Sequence, residues 1–146
     1  MNLRPLTMAD SDLLFGWRCE TAVVGFSVSR QRPSREEHDE WMRARMFAAR
    51  WKVLIGEVDG DAVATCTIDN ARAGSVALSY LVSPERRGLG LGKELVREVL
   101  GGIGQCVVTL TIREDNHGSI GIAKSCGFEM TTAAIEGFLE FRKEVS

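Results

Sequence analysis

Hydrophobic and polar positions along this chain switch between two periods, and the switches mark out its elements. Residues 3–6 read as a short opening strand. Thr7 then stands as a cap before a helix whose apolar positions, Leu13, Leu14 and Trp17, share one face. The stretch Arg30-Gln31-Arg32-Pro33 breaks regularity. Ser34, with Glu37 three residues on, has the form of a capping box and predicts a helix through Trp41, Met42 and Phe47. Residues 52–58 and 62–69 are strand-like and joined by Asp59-Gly60, a tight-hairpin signal. A turn over residues 70–74 leads to a strand over residues 75–82, which Pro84 ends. Leu91, Leu95, Val96, Val99 and Leu100 then form a helical stripe, stopped by Gly101-Gly102. Residues 106–112 read as a buried strand. Asn116 or Ser119 opens a short helix carrying Ile120, Ile122, Ala123 and Cys126, with Gly127 capping its end. Two more strands follow, one just after Phe128 and one over residues 138–143. The predicted order is βααβββαβαββ: one α/β (α+β) domain over residues 1–146, with a mixed, mainly antiparallel central sheet flanked by helices.

Composition narrows this picture. Apolar residues make up 45% of the 146 and charged residues 26%, the balance of a soluble globular domain. No run approaches the roughly 20 consecutive apolar residues of a membrane span. The N-terminal stretch turns polar too soon for a secretory signal, so a cytoplasmic setting is expected. Cys19, Cys66, Cys106 and Cys126 are widely spaced, and only two histidines occur. Reduced, buried thiols are the expectation, with no metal site. A net charge of −2 argues against a general grip on nucleic-acid phosphates.

The chemistry concentrates between the strand over residues 75–82 and the helix after it, in Arg86-Arg87-Gly88-Leu89-Gly90-Leu91-Gly92-Lys93. Glycine tolerates positive φ and lets a ligand approach the backbone closely. Successive free N–H groups at a helix start suit a phosphate or pyrophosphate. Arg86, Arg87 and Lys93 add positive charge. Two familiar phosphate loops fail on spacing. A P-loop would need Gly at Arg87 and Ser or Thr at Glu94, and a GxGxxG fingerprint would need Gly at Lys93 or Leu95.

With those set aside, YLVSPERRGLGLGKELVREVL resembles the acetyl-CoA motif of the GNAT superfamily, Arg/Gln-x-x-Gly-x-Gly/Ala, at Arg87, Gly90 and Gly92. Asn116-x-x-Ser119 and Gly127-Phe128 resemble the second motif of that family, and the predicted element order agrees over nearly the whole chain. The resemblance implies acetyl-CoA as acyl donor and a primary amine of a small molecule as acceptor, and direct transfer is expected because no cysteine is marked out as an acyl carrier. It implies that backbone groups of Tyr80, Leu81 and Val82 pair with the pantetheine arm and polarise the thioester. The N–H groups of Arg87, Gly88, Leu89, Gly90, Leu91, Gly92 and Lys93 would hold the pyrophosphate, and Asn116 and Ser119 would contact the pantetheine side. A fixed donor aimed at a carbonyl that develops charge is what such chemistry requires.

The family pattern breaks at Ala123, which stands where many members carry a tyrosine that protonates the departing thiolate. Tyr80, the single tyrosine, is the candidate acid, set against a plain packing role. An alkyl ammonium with a pKa of ~10 also needs to lose a proton. Glu57 is the candidate base, set against an ordinary solvated carboxylate. No cysteine is marked out as an acyl carrier; Cys126 reads as a buried helix-end thiol.

For the acceptor, Trp17-Arg18 followed by Ser34-x-Glu36-Glu37-His38-x-x-Trp41 partly resembles GNAT enzymes that acetylate amino-sugar nucleotides, of the pseudaminic-acid-pathway type. Cys19 departs from the Asn common there. On that resemblance Arg18, Arg30 and Arg32 would anchor phosphates, and Trp41 would stack on a base or sugar. The residues leave plainer readings open: Trp17 and Trp41 as core, His38 as surface structure, the arginines as solvated or paired. Acetylation of a protein N-terminus, a lysine or a polyamine, and a noncatalytic acetyl-CoA sensor, are the alternatives. The C-terminal strands are candidates for a homodimer contact.

Overall fold

The computed structural model describes residues 1–26 and 31–146. Its strands are β1 (Asn2–Pro5), β2 (Trp51–Val58), β3 (Asp61–Arg72), β4 (Ser75–Val82), β5 (Cys106–Arg113), β6 (Glu129–Ile135) and β7 (Phe138–Val145). Its helices are α1 (Ser11–Cys19), α2 (Thr21–Phe26), α3 (Arg35–Phe47), α4 (Leu91–Gly102) and α5 (His117–Ser125). The strands form one sheet in the order β1-β2-β3-β4-β5-β7-β6. Every neighbouring pair is antiparallel except β4 and β5. This is the mixed, mainly antiparallel sheet flanked by helices that the sequence pattern predicts.

Both faces of the sheet are covered, so the central strands read as continuous apolar runs rather than alternating ones. On one face α4 and α5 lay Leu95, Val96, Val99 and Ala123 against Ala64, Cys66, Ile68 and Leu78. On the other, α1 and α3 lay Leu14, Trp17 and Met42 against Leu6, Val53 and Ile55. The local signals behind these elements are realised. Asp59 and Gly60 take φ of 52° and 84°, as a two-residue hairpin requires. The Ser34 side chain accepts from the Glu37 N–H at 3.1 Å, and the Glu37 carboxylate accepts from the Ser34 N–H at 3.2 Å.

Three local departures have physical reasons. The short α2 is unpredicted, making the order βαααβββαβαββ. Its residues Thr21, Val23, Val24 and Gly25 are poor helix formers and too few to show a period. It is held by Glu20, whose carboxylate accepts the Val23 N–H at 3.2 Å and whose carbonyl accepts the Val24 N–H at 3.0 Å. Helix α4 runs through Gly101 and Gly102 instead of stopping before them. Burial of Leu95, Val96 and Val99 outweighs a propensity cost of about 1 kcal/mol per glycine. Strand β3 continues to Arg72 across the predicted turn, with a register shift between Asp69 and Arg72.

One feature positions the site. The parallel pairing of β4 and β5 consists of Ser75 with Val107, Val76 with Val108 and Ala77 with Thr109. Past those rungs the two strands part.

Candidate active site

The parting of β4 and β5 opens into a cavity of about 780 Å³. Leu78 to Val82 line it from β4, and Leu110 to Arg113 line it from β5. It passes through the sheet. At one end is the turn that precedes α4; at the other is a wall built by α1, α2 and α3.

Gly88 and Gly90 in that turn have φ of 79° and 77°, a region that side-chain-bearing residues rarely adopt. Gly90 is the N-cap of α4. The first bond of the helix runs from the Glu94 N–H to the Gly90 carbonyl at 3.1 Å. The N–H groups of Leu91, Gly92 and Lys93 therefore have no acceptor within the helix, which is the arrangement that binds phosphate oxygens. Gly92 serves a different need. A Cβ there would lie 2.7 Å from Ile122 Cδ1 and 3.4 Å from Val82 Cγ2, so glycine lets α4 seat against α5 and β4. Around the turn Arg87 pairs with Glu20 at 3.1 Å and Arg86 with Asp61 at 3.3 Å. The Leu89 side chain is exposed, and Leu89 is not among the residues that line the cavity.

Across the opening, Asn116 caps α5 by accepting the Ser119 N–H at 3.2 Å. The Tyr80 hydroxyl donates to the Ser119 carbonyl at 3.3 Å, so the phenol bridges from β4 to the first turn of α5. Burial pushes its pKa up to about 12, which keeps the proton on oxygen near neutrality. Ala123 is fully buried beneath this contact, in the helix–sheet core.

Residues 1–129 match the family model described as "Acetyltransferase (GNAT) domain". The chain belongs to the GNAT acetyltransferase family. No curated protein sequence matches it. Among solved structures, this GNAT domain is similar to spermidine N-acetyltransferase from Vibrio cholerae in complex with CoA and spermine. The TM-score is 0.88 at 13% identity, over 99% of this chain and 95% of that one. It is similar to ribosomal-protein-alanine N-acetyltransferase from Brucella melitensis, with a TM-score of 0.75 at 23% identity over 99% of each chain. It is also similar to an aminoglycoside acetyltransferase in complex with coenzyme A, with a TM-score of 0.79 at 18% identity, over 98% of this chain and 94% of that one. At such identities the likeness speaks for the fold alone.

The acceptor side of the GNAT cavity is lined by Leu14 and Arg18 from α1, Val23 and Phe26 from α2, Trp41 from α3, and Thr65 and Thr67 from β3. The Arg18 guanidinium lies 4.3 Å from the Trp41 ring centre. Fully buried His38 holds it from behind. His38 Nε2 is 2.9 Å from the Ser11 carbonyl and must donate to it, which leaves Nδ1 to accept from Arg18 at 2.8 Å. Burial lowers the His38 pKa, as does Arg18 itself, and the ring is neutral. Burial and Arg45 also lower the Arg18 pKa, from a starting value so high that the charge persists. Behind Trp41 the stack continues: Arg45 lies 4.7 Å from Trp41 and 4.3 Å from Trp51, and Arg50 lies 4.4 Å from Trp51. Arg50 ends it in a bidentate pair with Asp69 at 2.7 and 2.9 Å.

The structure thus brings Tyr80, Leu81, Val82, Arg87, Gly88, Gly90, Leu91, Gly92, Lys93, Asn116, Ser119, Arg18 and Trp41 around one cavity. Glu57 is not among the lining residues. Its carboxylate is held by Arg4 at 3.2 Å and Asn2 at 3.3 Å on the β1 side of the sheet, which corrects the sequence expectation of a base at the site. His38, expected at the surface, is buried instead because α1 covers it. Trp17 is core. Arg32 braces the α1–α2 junction through the Cys19 carbonyl at 2.9 Å and the Thr21 hydroxyl at 2.8 Å. Arg30 lies outside the described residues. Sequence reasoning missed Thr65 and Thr67, whose alternation inside an otherwise apolar buried run was the available signal. It also missed Arg113, stacked 4.6 Å over Phe138 at the cavity wall. Among the described residues, no cluster of His, Cys, Asp and Glu could hold a metal ion, and no helix is long and apolar enough to cross a membrane.

Proposed function

We propose that this GNAT domain binds acetyl-CoA along the glycine-rich turn and the β4–β5 opening, and transfers the acetyl group directly to a primary amine of a small molecule. The amine enters from the α1–α3 side, with Arg18 seating an anionic group of the acceptor such as the phosphate of an amino-sugar nucleotide. The observation that carries this reading is the continuity of one cavity from the α4 N-terminus, through the split sheet, to Arg18.

Each part of the chain has a distinct task in that reaction. The N–H groups of Leu91, Gly92 and Lys93 hold the pyrophosphate, and Arg87 and Lys93 add charge around it. Backbone groups of Tyr80, Leu81 and Val82 face the gap where β5 no longer pairs, so they are free to orient the thioester and support its developing oxyanion. Tyr80, protonated and directed across the gap, gives its proton to the leaving thiolate. Cys126 is buried and its thiol faces the Lys93 carbonyl at 3.9 Å, which supports direct transfer without an acyl-enzyme.

The test is thiol release from acetyl-CoA across amino-sugar nucleotides, polyamines, aminoglycosides and N-terminal peptides. Preference for the amino-sugar nucleotide is expected. Arg18→Gln should raise its KM by roughly 10- to 100-fold, the worth of one charge-assisted hydrogen bond. Preference for spermidine or a peptide would discard the anionic acceptor. Tight acetyl-CoA binding without turnover on the panel would favour the sensor.

A further inference from the structure

The charged side chains on the cavity wall, among the described residues, all carry the same sign. They are Arg18 from α1, Arg86 and Arg87 from the turn, Lys93 from α4 and Arg113 from β5, and no lining residue is Asp, Glu or His. The sequence places no acid at residues 27–30 either. Groups one layer back do not fill the role. His38 sits behind Arg18 with both ring nitrogens engaged, by Ser11 and by Arg18. Glu20 is tied to Arg87, and Glu57 to Arg4. The Tyr80 hydroxyl keeps its proton and donates a hydrogen bond to the Ser119 carbonyl.

From this wall we infer that the protein offers its acceptor no base before the C–N bond forms, takes it from solution as the free amine, and so selects amines of depressed basicity. The inference rests on the transferase reading above and narrows its substrate class. On the acceptor side Arg18, which the donor's phosphates do not neutralise, repels an ammonium twice over: it opposes entry of the charged form, and it lowers the pKa of any amine already seated. The preferred acceptor is an α-amine, an arylamine, or an amine flanked by electron-withdrawing oxygens. An alkyl polyamine is disfavoured. Near pH 7.4 an amine with a pKa of ~8 is roughly one-fifth free, while one at ~10.4 is about one-thousandth free, so solution chemistry alone contributes a factor of about 200.

The proton balance closes without an added base. The free amine attacks the thioester carbonyl, the C–N bond forms, and the C–S bond breaks to release thiolate. Tyr80 gives its proton to sulfur, and the strongly basic phenolate takes back the proton that the new amide nitrogen must lose. One amine and one thioester give one amide and one thiol.

The experiment uses the intact protein with saturating acetyl-CoA, following kcat/KM against pH between about 6.5 and 9.5, a window above the depressed range of His38. The acceptors are ethylamine and its mono- and difluoro derivatives, whose basicity falls stepwise at nearly constant size, with a hexosamine phosphate and spermidine alongside. The expected result is a break that moves with each amine's own pKa, and a single pH-independent value once rates are corrected for free amine. A break fixed at one pH for every amine would overturn the inference while leaving the transferase reading intact. Spermidine outrunning the difluoro amine near neutrality would do the same. Thiol release with no amine at all would sink both together.

Discussion

Gly92 offers the sharpest test of how the phosphate turn is built. Adding a methyl group there places Cβ 2.7 Å from Ile122 Cδ1 and 3.4 Å from Val82 Cγ2. The first is a collision, although Ile122 presents the far end of a flexible side chain and can give. Overpacking of this kind costs about 1–3 kcal/mol. Better helix propensity offsets about 0.5–1 kcal/mol of it. Gly92→Ala should therefore destabilise by a net of roughly 0–2.5 kcal/mol. Whatever part of the collision Ile122 does not absorb tilts the α4 N-terminus away from α5 and carries the Leu91, Gly92 and Lys93 N–H groups out of position. Gly101→Ala is the control, since nothing lies within 4 Å of a Cβ built there and its helix is the same. It should stabilise by about 0.5–1 kcal/mol, a rise of roughly 2–4 °C in Tm. Thermal unfolding and acetyl-CoA titration of both variants decide the matter. If Gly92→Ala matches Gly101→Ala in both stability and affinity, the close seating of α4 on α5 has no bearing on cofactor binding and the reasoning fails.

Tyr80→Phe should lower kcat by about 10- to 100-fold, the low end for a general acid because a thiolate leaves readily, with acetyl-CoA affinity unchanged. An unaltered kcat in steady-state assays would return that proton to solvent. Burial holds His38 below its unfolded pKa of ~6.5, so the unfolded chain takes up more protons as pH falls through that value. Stability is therefore full above ~6.5 and declines below it, by up to about 1.4 kcal/mol per pH unit. Unfolding melts from about pH 7.5 down to 5 should show this slope, and His38→Asn should flatten it; equal slopes would refute the assignment. Asp10 and Asp39, held below the usual carboxylate range, contribute only at lower pH, below ~4. Glu57→Gln should leave kcat within about twofold and cost less than ~1 kcal/mol, as expected for a partly exposed pair with Arg4. A steep loss of rate at neutral pH would put a base back on β2.

The phosphate turn was legible because its chemistry is local. A glycine turn running into a helix at Leu91 follows from spacing alone, although spacing does not tell Gly88 and Gly90, which take positive φ, from Gly92, which is helical. The Ser34 cap and the Asp59-Gly60 hairpin are local in the same way. What failed to show depends on contacts between distant residues. Arg18 and His38 stand 20 positions apart and meet only because α1 packs on α3. In sequence His38 looks like one more polar residue in a charged run. Glu57 follows the Gly56 register shift, and alternation along β2 does not reveal that its carboxylate turns to Arg4 instead of the cavity. Helix α2 depends on a cap from Glu20, a residue that local propensity gives no reason to single out.

The three rungs between β4 and β5 have a consequence for how the two halves of the sheet hold together. Among the described residues they are the only strand pairing that joins the β1–β4 half of the sheet to the β5–β7 half, so a seam runs through the middle of the sheet. The facing edges of that seam are rows of backbone donors and acceptors, the kind of edge that attracts an extended partner. On the proposed reading a pantetheine arm laid along it would work as a stitch, joining the two halves into one unit and stabilising the fold by mass action. The acyl donor is then, on that reading, an architectural part as well as a reagent, and acetyl-CoA should raise the Tm of the whole domain.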